Sequence, residues 1–210
     1  MIKIENVQVV GLDHAIRGMR NPMNSWEKSD SGYIEFSGKD YFALGHNDEE
    51  LALKLNKGGS VHAKYRRFIM CYMDITAPLY WWKEFDTYRM GVEKNSCSTM
   101  HKIHDKEFTL DDFSTEHLTH HSIDVLKLII GDLNIYRNCY IETKNKNEWW
   151  QMIQLLPSSY NQKRTVVCSY ESLANMFEYR ENHKLDEWVE FCKFVKSSLP
   201  YSQLIVAEEE

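Results

Sequence analysis

The sequence predicts an α+β protein, because strand-like segments lie within its first eighty residues and helical patterns occupy most of the remaining chain. Residues 2–10 and 65–76 are rich in β-branched and aromatic side chains. From Leu110 onward, apolar residues recur at helical spacing. The 210 residues are 43% hydrophobic, which supplies a sizeable core, and no repeat or Pro/Gly-rich linker divides them. One domain over residues 1–210 is expected.

The N-terminal elements are predicted from local patterns. Residues 2–10 largely alternate apolar and polar side chains, as a strand does. Residues 18–38 are interrupted by Gly, Ser, Asn and Pro, which predicts a loop around a short hairpin. Asn47 is placed to cap a helix over residues 48–57, and Gly58-Gly59 would end that helix.

The middle of the chain predicts a strand that leads directly into a helix. Residues 65–76 have the composition of a strand, and Thr76 then offers an N-cap with Pro78 in the first helical turn. The helix is predicted over residues 77–89, which read Ala-Pro-Leu-Tyr-Trp-Trp-Lys-Glu-Phe-Asp-Thr-Tyr-Arg. The two adjacent tryptophans favour the core or a subunit contact.

The C-terminal half is predicted to be mainly helical. A dense apolar set indicates a buried or interfacial helix over residues 110–138. Pairs of adjacent apolar residues continue the helical pattern through residues 149–156, and Pro157 ends it. Helices are also expected over residues 169–179 and 185–195, because apolar residues of the latter recur at i, i+3, i+4 and i+7.

Charge and composition exclude several classes of protein. The net charge of −6 argues against a general nucleic-acid or membrane-surface binder. No apolar run is long enough to span a bilayer and the first residues lack a signal-peptide layout, so a cytoplasmic protein is expected. The five cysteines are expected to be reduced, with Cys97 alone among small polar neighbours. Two histidine groups, at residues 101–104 and 117–121, lack a strong metal motif and are interpreted as exposed side chains without a metal.

Two separated segments resemble the flavin-dependent thymidylate synthases (ThyX). In the first, His62 falls at a characteristic histidine of that family, Ala77-Pro78-Leu79-Tyr80 at the start of the signature helix, and Thr87-Tyr88-Arg89 at its Arg-His-Arg. The family continues with Asn-Glu-x-Ser-x-Arg, which Asn95 and Ser98 match if one residue is inserted after Arg89.

The second segment resembles the family's Leu-Pro…Asn-Ala-Arg-Ser-Leu stretch and the helix after it. Leu156-Pro157, Ser172-Leu173, Asn175 and Arg180 match that pattern. Together the two segments place the resemblance over residues 58–198, about two thirds of the chain.

The resemblance implies a ThyX-like fold, with a mixed antiparallel sheet and a largely helical C-terminal half. It also implies a homotetramer that holds FAD between subunits and methylates a pyrimidine deoxynucleotide, dUMP or a related one, with methylenetetrahydrofolate and NADPH as co-substrates. Under this resemblance His62, Arg89 and Asn175 bind the cofactor. Asn95 binds the substrate, and Ser98 and Arg180 bind the substrate and take part in catalysis. Arginine suits phosphate because its planar fork donates two charged hydrogen bonds.

Several signature groups are replaced. Thr87 and Tyr88 stand for the Arg and His of Arg-His-Arg, and Met100 stands for the closing Arg. Ser96 replaces the signature Glu, and Glu171 and Ile153 also lie where the family has arginines. Each lost phosphate-binding arginine costs roughly 1 to 3 kcal/mol of binding free energy.

New charges could compensate for the missing arginines, and the candidates are Lys64, Arg66 and Arg67, or Lys163 and Arg164. Three functions therefore remain open at the level of sequence. They are a divergent synthase, a ThyX-fold nucleotide or flavin binder without the synthase reaction, and an interaction protein that keeps only the helical core. Ser98 also has a simpler interpretation as a helix cap.

Overall fold

A computed structural model describes residues 2–206, and it confirms the α+β class. The strands and helices alternate in the first half of the chain, whereas helices predominate in the second half. In chain order the elements are β1 (Lys3–Val10), α1 (Leu12–Met19), β2 (Gly32–Phe36), β3 (Lys39–Ala43), α2 (His46–Lys57), β4 (Met70–Pro78), α3 (Leu79–Phe85), β5 (Val92–Ser96), α4 (Thr99–Lys102), α5 (His120–Thr143), α6 (Lys146–Leu155), β6 (Asn161–Ser169), α7 (Tyr170–Arg180) and α8 (Asp186–Ser198).

Four of the strands form one sheet in the order β1-β4-β6-β5, and β2 and β3 form a separate antiparallel hairpin. In the hairpin Tyr33 pairs with Phe42, and their rings meet edge to face at 5.6 Å. The hairpin reverses at Ser37 and Gly38, which both have positive φ angles.

No helix within residues 2–206 has the length and apolar character needed to cross a membrane.

By its internal contacts the chain divides into two compact units. The first, called here the helical unit, consists of residues 2–4, 74–87 and 95–165. The second, called here the α7 unit, consists of residues 5–73, 88–94 and 166–206. Helices α5 and α6 belong to the helical unit, and α1, α2, α7 and α8 belong to the α7 unit.

Aromatic side chains of α3 form the first part of the core of the helical unit. Trp81, Trp82 and Phe85 are fully buried, with ring centroids 4.9 to 5.3 Å apart. The indole nitrogen of Trp82 donates a hydrogen bond to the carbonyl of Gln162 at 2.9 Å. The tryptophan pair is therefore a packing element of the core.

A second apolar cluster of this unit joins α5 to α6. Leu126, Ile130 and Leu133 of α5 pack with Met152 of α6. Asn134 of α5 attaches the segment that precedes this helix. Its side-chain amide accepts a hydrogen bond from the N–H of Phe108 and donates one to the carbonyl of Phe108. These two bonds fix the preceding segment against one side of α5.

The α7 unit contains a buried ion pair between Arg20 and Asp48. The Asp48 carboxylate also accepts hydrogen bonds from the hydroxyls of Ser29 and Ser31 and from the N–H groups of Asp30 and Ser31. Burial opposes ionisation of Asp48, but the hydrogen bonds from Ser31, Ser29 and Arg20 outweigh it and hold the pKa below its ordinary value. The loop before the hairpin is therefore organised around one carboxylate.

Several element boundaries differ from the sequence predictions because longer-range contacts decide them. Helix α2 begins at His46 with Gly45 as its N-cap, so the predicted cap at Asn47 is wrong. Asp30 instead accepts hydrogen bonds from the N–H groups of Asn47 and Asp48 and supplies the cap from another segment.

The helix predicted over residues 77–89 is shorter than expected. Helix α3 has Pro78 as its N-cap, so the predicted cap at Thr76 is wrong, and the helix ends at Phe85. The residues after Asp86 form a turn instead. Similarly, α5 begins at His120 with Thr119 as its cap, because residues before it form a short 3₁₀ turn and an extended connection.

We expect Asp48→Asn to destabilise the fold by about 3–5 kcal/mol, because Arg20 would remain buried without a countercharge. Urea unfolding at pH 7 measures the change, and the exposed Asp111→Asn serves as the control with an expected effect within about 0.5 kcal/mol. The folded-state pKa of Asp48 lies below 3.8, so its contribution is present above about pH 4 and is lost as the pH falls through the folded value. Equal stability of the two variants at pH 7 would contradict this assignment.

Candidate functional site

The first turn of α7 connects two loops of the α7 unit. The N–H of Ser169, the N-cap residue, donates a hydrogen bond to the carbonyl of Gly91 at 2.9 Å. The next N–H, that of Tyr170, donates to the carbonyl of Ile69 at the same distance. Helix α7 therefore begins where the segment before β4 and the turn after α3 both reach it.

Two buried serines fix the turn that carries Arg89. The Ser172 hydroxyl donates to the Met90 carbonyl at 2.6 Å, so Ser169 donates in the 2.8 Å contact between the two hydroxyls. Gly91 follows with a φ of +65°, and a Cβ at Gly91 would lie 2.7 Å from the Ser169 hydroxyl. Glycine is required there because the backbone passes directly over the serine pair.

Residues predicted to bind the cofactor lie on three segments of the α7 unit. His62 precedes the 3₁₀ turn Lys64–Arg67, Arg89 lies in the turn held by Ser172, and Asn175 lies on α7. All three belong to the α7 unit, and all three are exposed. The three side chains are therefore exposed within one unit, and their contact with a cofactor stays a prediction.

Arg180, predicted to bind the substrate, lies at the end of α7 among aromatic residues. Its Nε donates to the hydroxyl of Tyr88 at 2.9 Å, and its Nη1 lies 2.9 Å from Nε2 of His183. The guanidinium also lies over the ring of Trp188, 4.9 Å from the centroid. Tyr88, which stands at the histidine of the resembled Arg-His-Arg, thus holds the arginine directly.

Asn95 and Ser98, the remaining predicted substrate residues, belong to the helical unit. Asn95 is exposed near the end of β5. Ser98 is the N-cap of α4, where its hydroxyl accepts a hydrogen bond from the N–H of His101 at 3.2 Å. The helix-cap interpretation of Ser98 is therefore confirmed, and its predicted contact with substrate stays a prediction.

Other replaced signature positions have local contacts. Thr87 donates its hydroxyl hydrogen to the Glu84 carbonyl at 2.7 Å at the end of α3. Ile153 packs against the apolar cluster of α5 and α6. Met100 is exposed, and its carbonyl accepts a hydrogen bond from the indole of Trp149. None of these side chains carries the positive charge of the arginine that it replaces.

Two of the candidate compensating charges are engaged in ion pairs of the helical unit. Lys163 lies 3.1 Å from the carboxylate of Asp74. Arg164 donates to Asp86 at 2.9 Å, and its guanidinium lies 4.2 Å from the centroid of the Trp82 ring. Lys163 thus links β6 to β4, and Arg164 links β6 to α3.

Among the other candidate charges, Arg67 lies beside Glu171, the acidic residue that replaces an arginine of the resembled pattern. Nη2 of Arg67 is 3.9 Å from Oε1 of Glu171, and Lys64 is exposed nearby in sequence. Burial raises the pKa of Tyr65 to about 12, while Arg66 acts to lower it and Glu171 to raise it. Arg66 and Glu171 therefore both act on the Tyr65 hydroxyl, an arrangement that the sequence could not reveal.

Thiols and histidines are the other reactive groups of the chain. All five cysteines are free, and Cys97 is exposed. Burial raises the pKa of Cys71 and of Cys192 to about 12 and disfavours their thiolates. Within residues 2–206 no three His, Cys, Asp or Glu side chains are grouped closely enough to hold a metal ion.

Comparison with known proteins gives a likeness in structure alone. No family model matches the sequence, and no curated protein matches it. The fold is similar to a crystal structure of thymidylate synthase X (ThyX) from Helicobacter pylori with FAD and dUMP, with a TM-score of 0.69 and 18% identity over 97% of this chain and 96% of that one. A second structure of the H. pylori enzyme, also complexed with FAD and dUMP, gives 0.66 and 19% over 95% and 96%. The chain therefore shares the ThyX fold.

We expect Ser172→Ala to destabilise the α7 unit by about 1–2 kcal/mol, because the Met90 carbonyl loses its buried donor. Hydrogen exchange of the amides of residues 88–91 should accelerate, since this turn depends on that contact. Ser197→Ala is a matched control, because Ser197 donates to a carbonyl at the same 2.6 Å but on an exposed face. Unchanged exchange at residues 88–91 in Ser172→Ala would show that the hydroxyl does not hold the turn.

Proposed function

We propose that the chain is a single ThyX-like domain that binds FAD and a pyrimidine deoxynucleotide and catalyses reductive methylation of dUMP or a related nucleotide. The observation that supports this most strongly is the similarity in fold, along nearly the whole chain, to ThyX structures with FAD and dUMP. The exposed positions of His62, Arg89 and Asn175 support it further. A cytoplasmic location is part of the proposal.

The proposed cofactor residues fit FAD by their chemistry. Arg89 supplies a permanent positive charge for a pyrophosphate, and the imidazole of His62 and the carboxamide of Asn175 can each donate and accept hydrogen bonds. The buried hydroxyl of Ser172 restrains the backbone next to Arg89, so that less side-chain and loop entropy is lost on binding. Bound FAD would supply the carrier for hydride transfer.

Substrate binding is assigned to Arg180, Ser98 and Asn95, with Ser98 and Arg180 as the catalytic candidates. Tyr88 and Trp188 hold the Arg180 guanidinium in one orientation, as a phosphate-binding arginine requires. Methylenetetrahydrofolate would donate the one-carbon group and NADPH would reduce the flavin.

A second function is a flavin or nucleotide binder that has lost the synthase reaction. The observation that favours it is the engagement of Lys163 and Arg164 in ion pairs with Asp74 and Asp86, since these charges then do not replace missing phosphate-binding arginines. Both functions require FAD or nucleotide binding, and only the first requires turnover.

We also propose a homotetramer, built in part through α5. This helix buries Leu126, Ile130 and Leu133 on one side, yet Leu128 is 72% exposed and Ile135 is 58% exposed on another. An exposed apolar row on a long helix is typical of a subunit interface.

FAD should raise the melting temperature of the purified protein, because a ligand at a hundredfold excess over Kd stabilises the fold by about 2.7 kcal/mol. Arg89→Gln should weaken FAD binding roughly tenfold to a hundredfold through loss of a charge-assisted hydrogen bond. Arg17→Gln, at an exposed arginine of α1, is the control. Absence of both a flavin spectral shift and thermal stabilisation in the wild type would refute FAD binding, and dTMP formation from dUMP then separates the two functions.

Leu128→Glu combined with Ile135→Glu should reduce the oligomer to smaller species, because two charges would be buried in the proposed interface. Light scattering after size-exclusion chromatography measures the mass. Met23→Glu, at a more exposed apolar residue of the α7 unit, should leave the mass unchanged. A wild-type mass equal to one chain would rule out the tetramer.

A further inference from the structure

Glu171 holds a buried carboxylate oxygen that no group of the described chain satisfies. Its side chain is 12% exposed, and Oε2 is buried without a hydrogen-bond partner among residues 2–206. The other oxygen, Oε1, lies 3.9 Å from Nη2 of Arg67, which is beyond hydrogen-bond distance. The ion pair is therefore a loose one that leaves hydrogen-bonding capacity on both partners.

An unpaired buried carboxylate oxygen is unfavourable and uncommon in folded proteins. An ionised glutamate only accepts hydrogen bonds, so the group that satisfies Oε2 must be an N–H or O–H donor. A phosphate does not meet that requirement, because its oxygens would meet a like charge. An arginine at this position would bind a phosphate, whereas the carboxylate of Glu171 repels one.

Arg67 adds the complementary half of the site. Its side chain is 55% exposed, so a ligand can reach it, and a guanidinium only donates hydrogen bonds. Arg66 contributes a second unsatisfied donor, since its Nε is buried without an acceptor among the described residues, while its Nη2 donates weakly to the Ile205 carbonyl at 3.4 Å. Acceptor and donor groups therefore occur together at the start of α7.

We propose that Glu171 and Arg67 recognise the imide edge of a heteroaromatic ring, where a ring N–H adjoins a ring carbonyl. Glu171 accepts the ring N–H when its side chain rotates and brings the covered oxygen Oε2 to the surface beside the exposed Arg67, and Arg67 donates to the neighbouring carbonyl. Uracil and the isoalloxazine ring both carry this edge, so the inference rests on the proposed function for its ligands. Glu171 therefore selects a ring that carries an imide N–H and does not bind phosphate.

The position of the pair in the fold supports this assignment. Glu171 lies in the first turn of α7, between the N-cap Ser169 and Ser172, which hold the turn that carries Arg89. Arg67 lies in the 3₁₀ turn that leads to Ile69, whose carbonyl accepts from the N–H of Tyr170. Both side chains therefore extend from backbone segments that hydrogen bonds fix to one another.

Calorimetry with phosphate-free rings tests the proposal directly. Uridine and lumiflavin serve as separate probes, and their N3-methyl derivatives serve as matched ligands that lack the imide N–H. We expect one parent ring to bind the wild type and its N3-methyl derivative to bind at least tenfold more weakly. Glu171→Met should remove the preference for the parent ring, Glu171→Gln should reduce it, and Glu178→Met, at an exposed glutamate of the same helix, should preserve it.

A stability measurement without ligand separates recognition from a structural ion pair. Removing an unsatisfied buried oxygen relieves a cost, so the melting temperature of Glu171→Met should equal or exceed that of the wild type. A fall in melting temperature would identify the pair as structural and overturn the proposal. Glu171→Gln provides a second variant of nearly identical shape for this comparison.

The outcomes also distinguish this proposal from the proposed function. If FAD or dUMP binds and Glu171→Met binds it equally well, the recognition pair is wrong and the function stands. If a phosphate-free ring binds through Glu171 but neither FAD nor dUMP does, the pair stands and the function fails. Three outcomes refute the recognition of ring edges by Glu171 and Arg67. The N3-methyl rings bind as tightly as the parent rings, inorganic phosphate binds in a way that depends on Glu171, or no ring binds.

Discussion

The arrangement of the candidate site depends on the hydrogen bonds made by the first turn of α7. Backbone groups of Ser169 and Tyr170 hold the segments that end at Gly91 and Ile69, and the Ser172 hydroxyl holds the carbonyl of Met90. The N–H groups at a helix start need partners outside the helix, and here two loops of the α7 unit supply part of them. The same contacts that complete the helix thereby position Arg89 and Arg67.

Some of the strands and helices were predictable because their patterns are local, whereas α1, β5, α4 and β6 were not predicted. Strand β1 and helices α2, α7 and α8 lie within a few residues of the predicted ranges, since alternation and helical spacing are properties of neighbouring residues. The helix caps were less predictable. Asp30 caps α2 from seventeen residues upstream of Asn47, and the sequence around Asn47 contains no sign of that contact.

Recognition of the candidate site from sequence had a similar limit. The resemblance to the ThyX pattern selected His62, Arg89 and Asn175, and all three belong to one compact unit. It could not decide which cations compensate for lost arginines, since an ion pair joins residues far apart in the chain. Arg67 faces Glu171, and Arg164 stacks on Trp82, through contacts that only the fold creates.

Three of the replaced signature residues share a property that bears on what the chain does. Thr87 donates to the end of α3, Tyr88 accepts from Arg180, and Ile153 joins the α5–α6 core, so each of these three side chains has a specific contact. Substitutions that accumulate without selection would leave unfilled space and unpaired polar groups at such positions. Glu171 differs from these three residues, because its buried oxygen lacks a donor in the described chain, and unsatisfied groups of this kind concentrate where a ligand completes the structure. Under the proposed function, these contacts favour an altered ligand preference over a loss of binding.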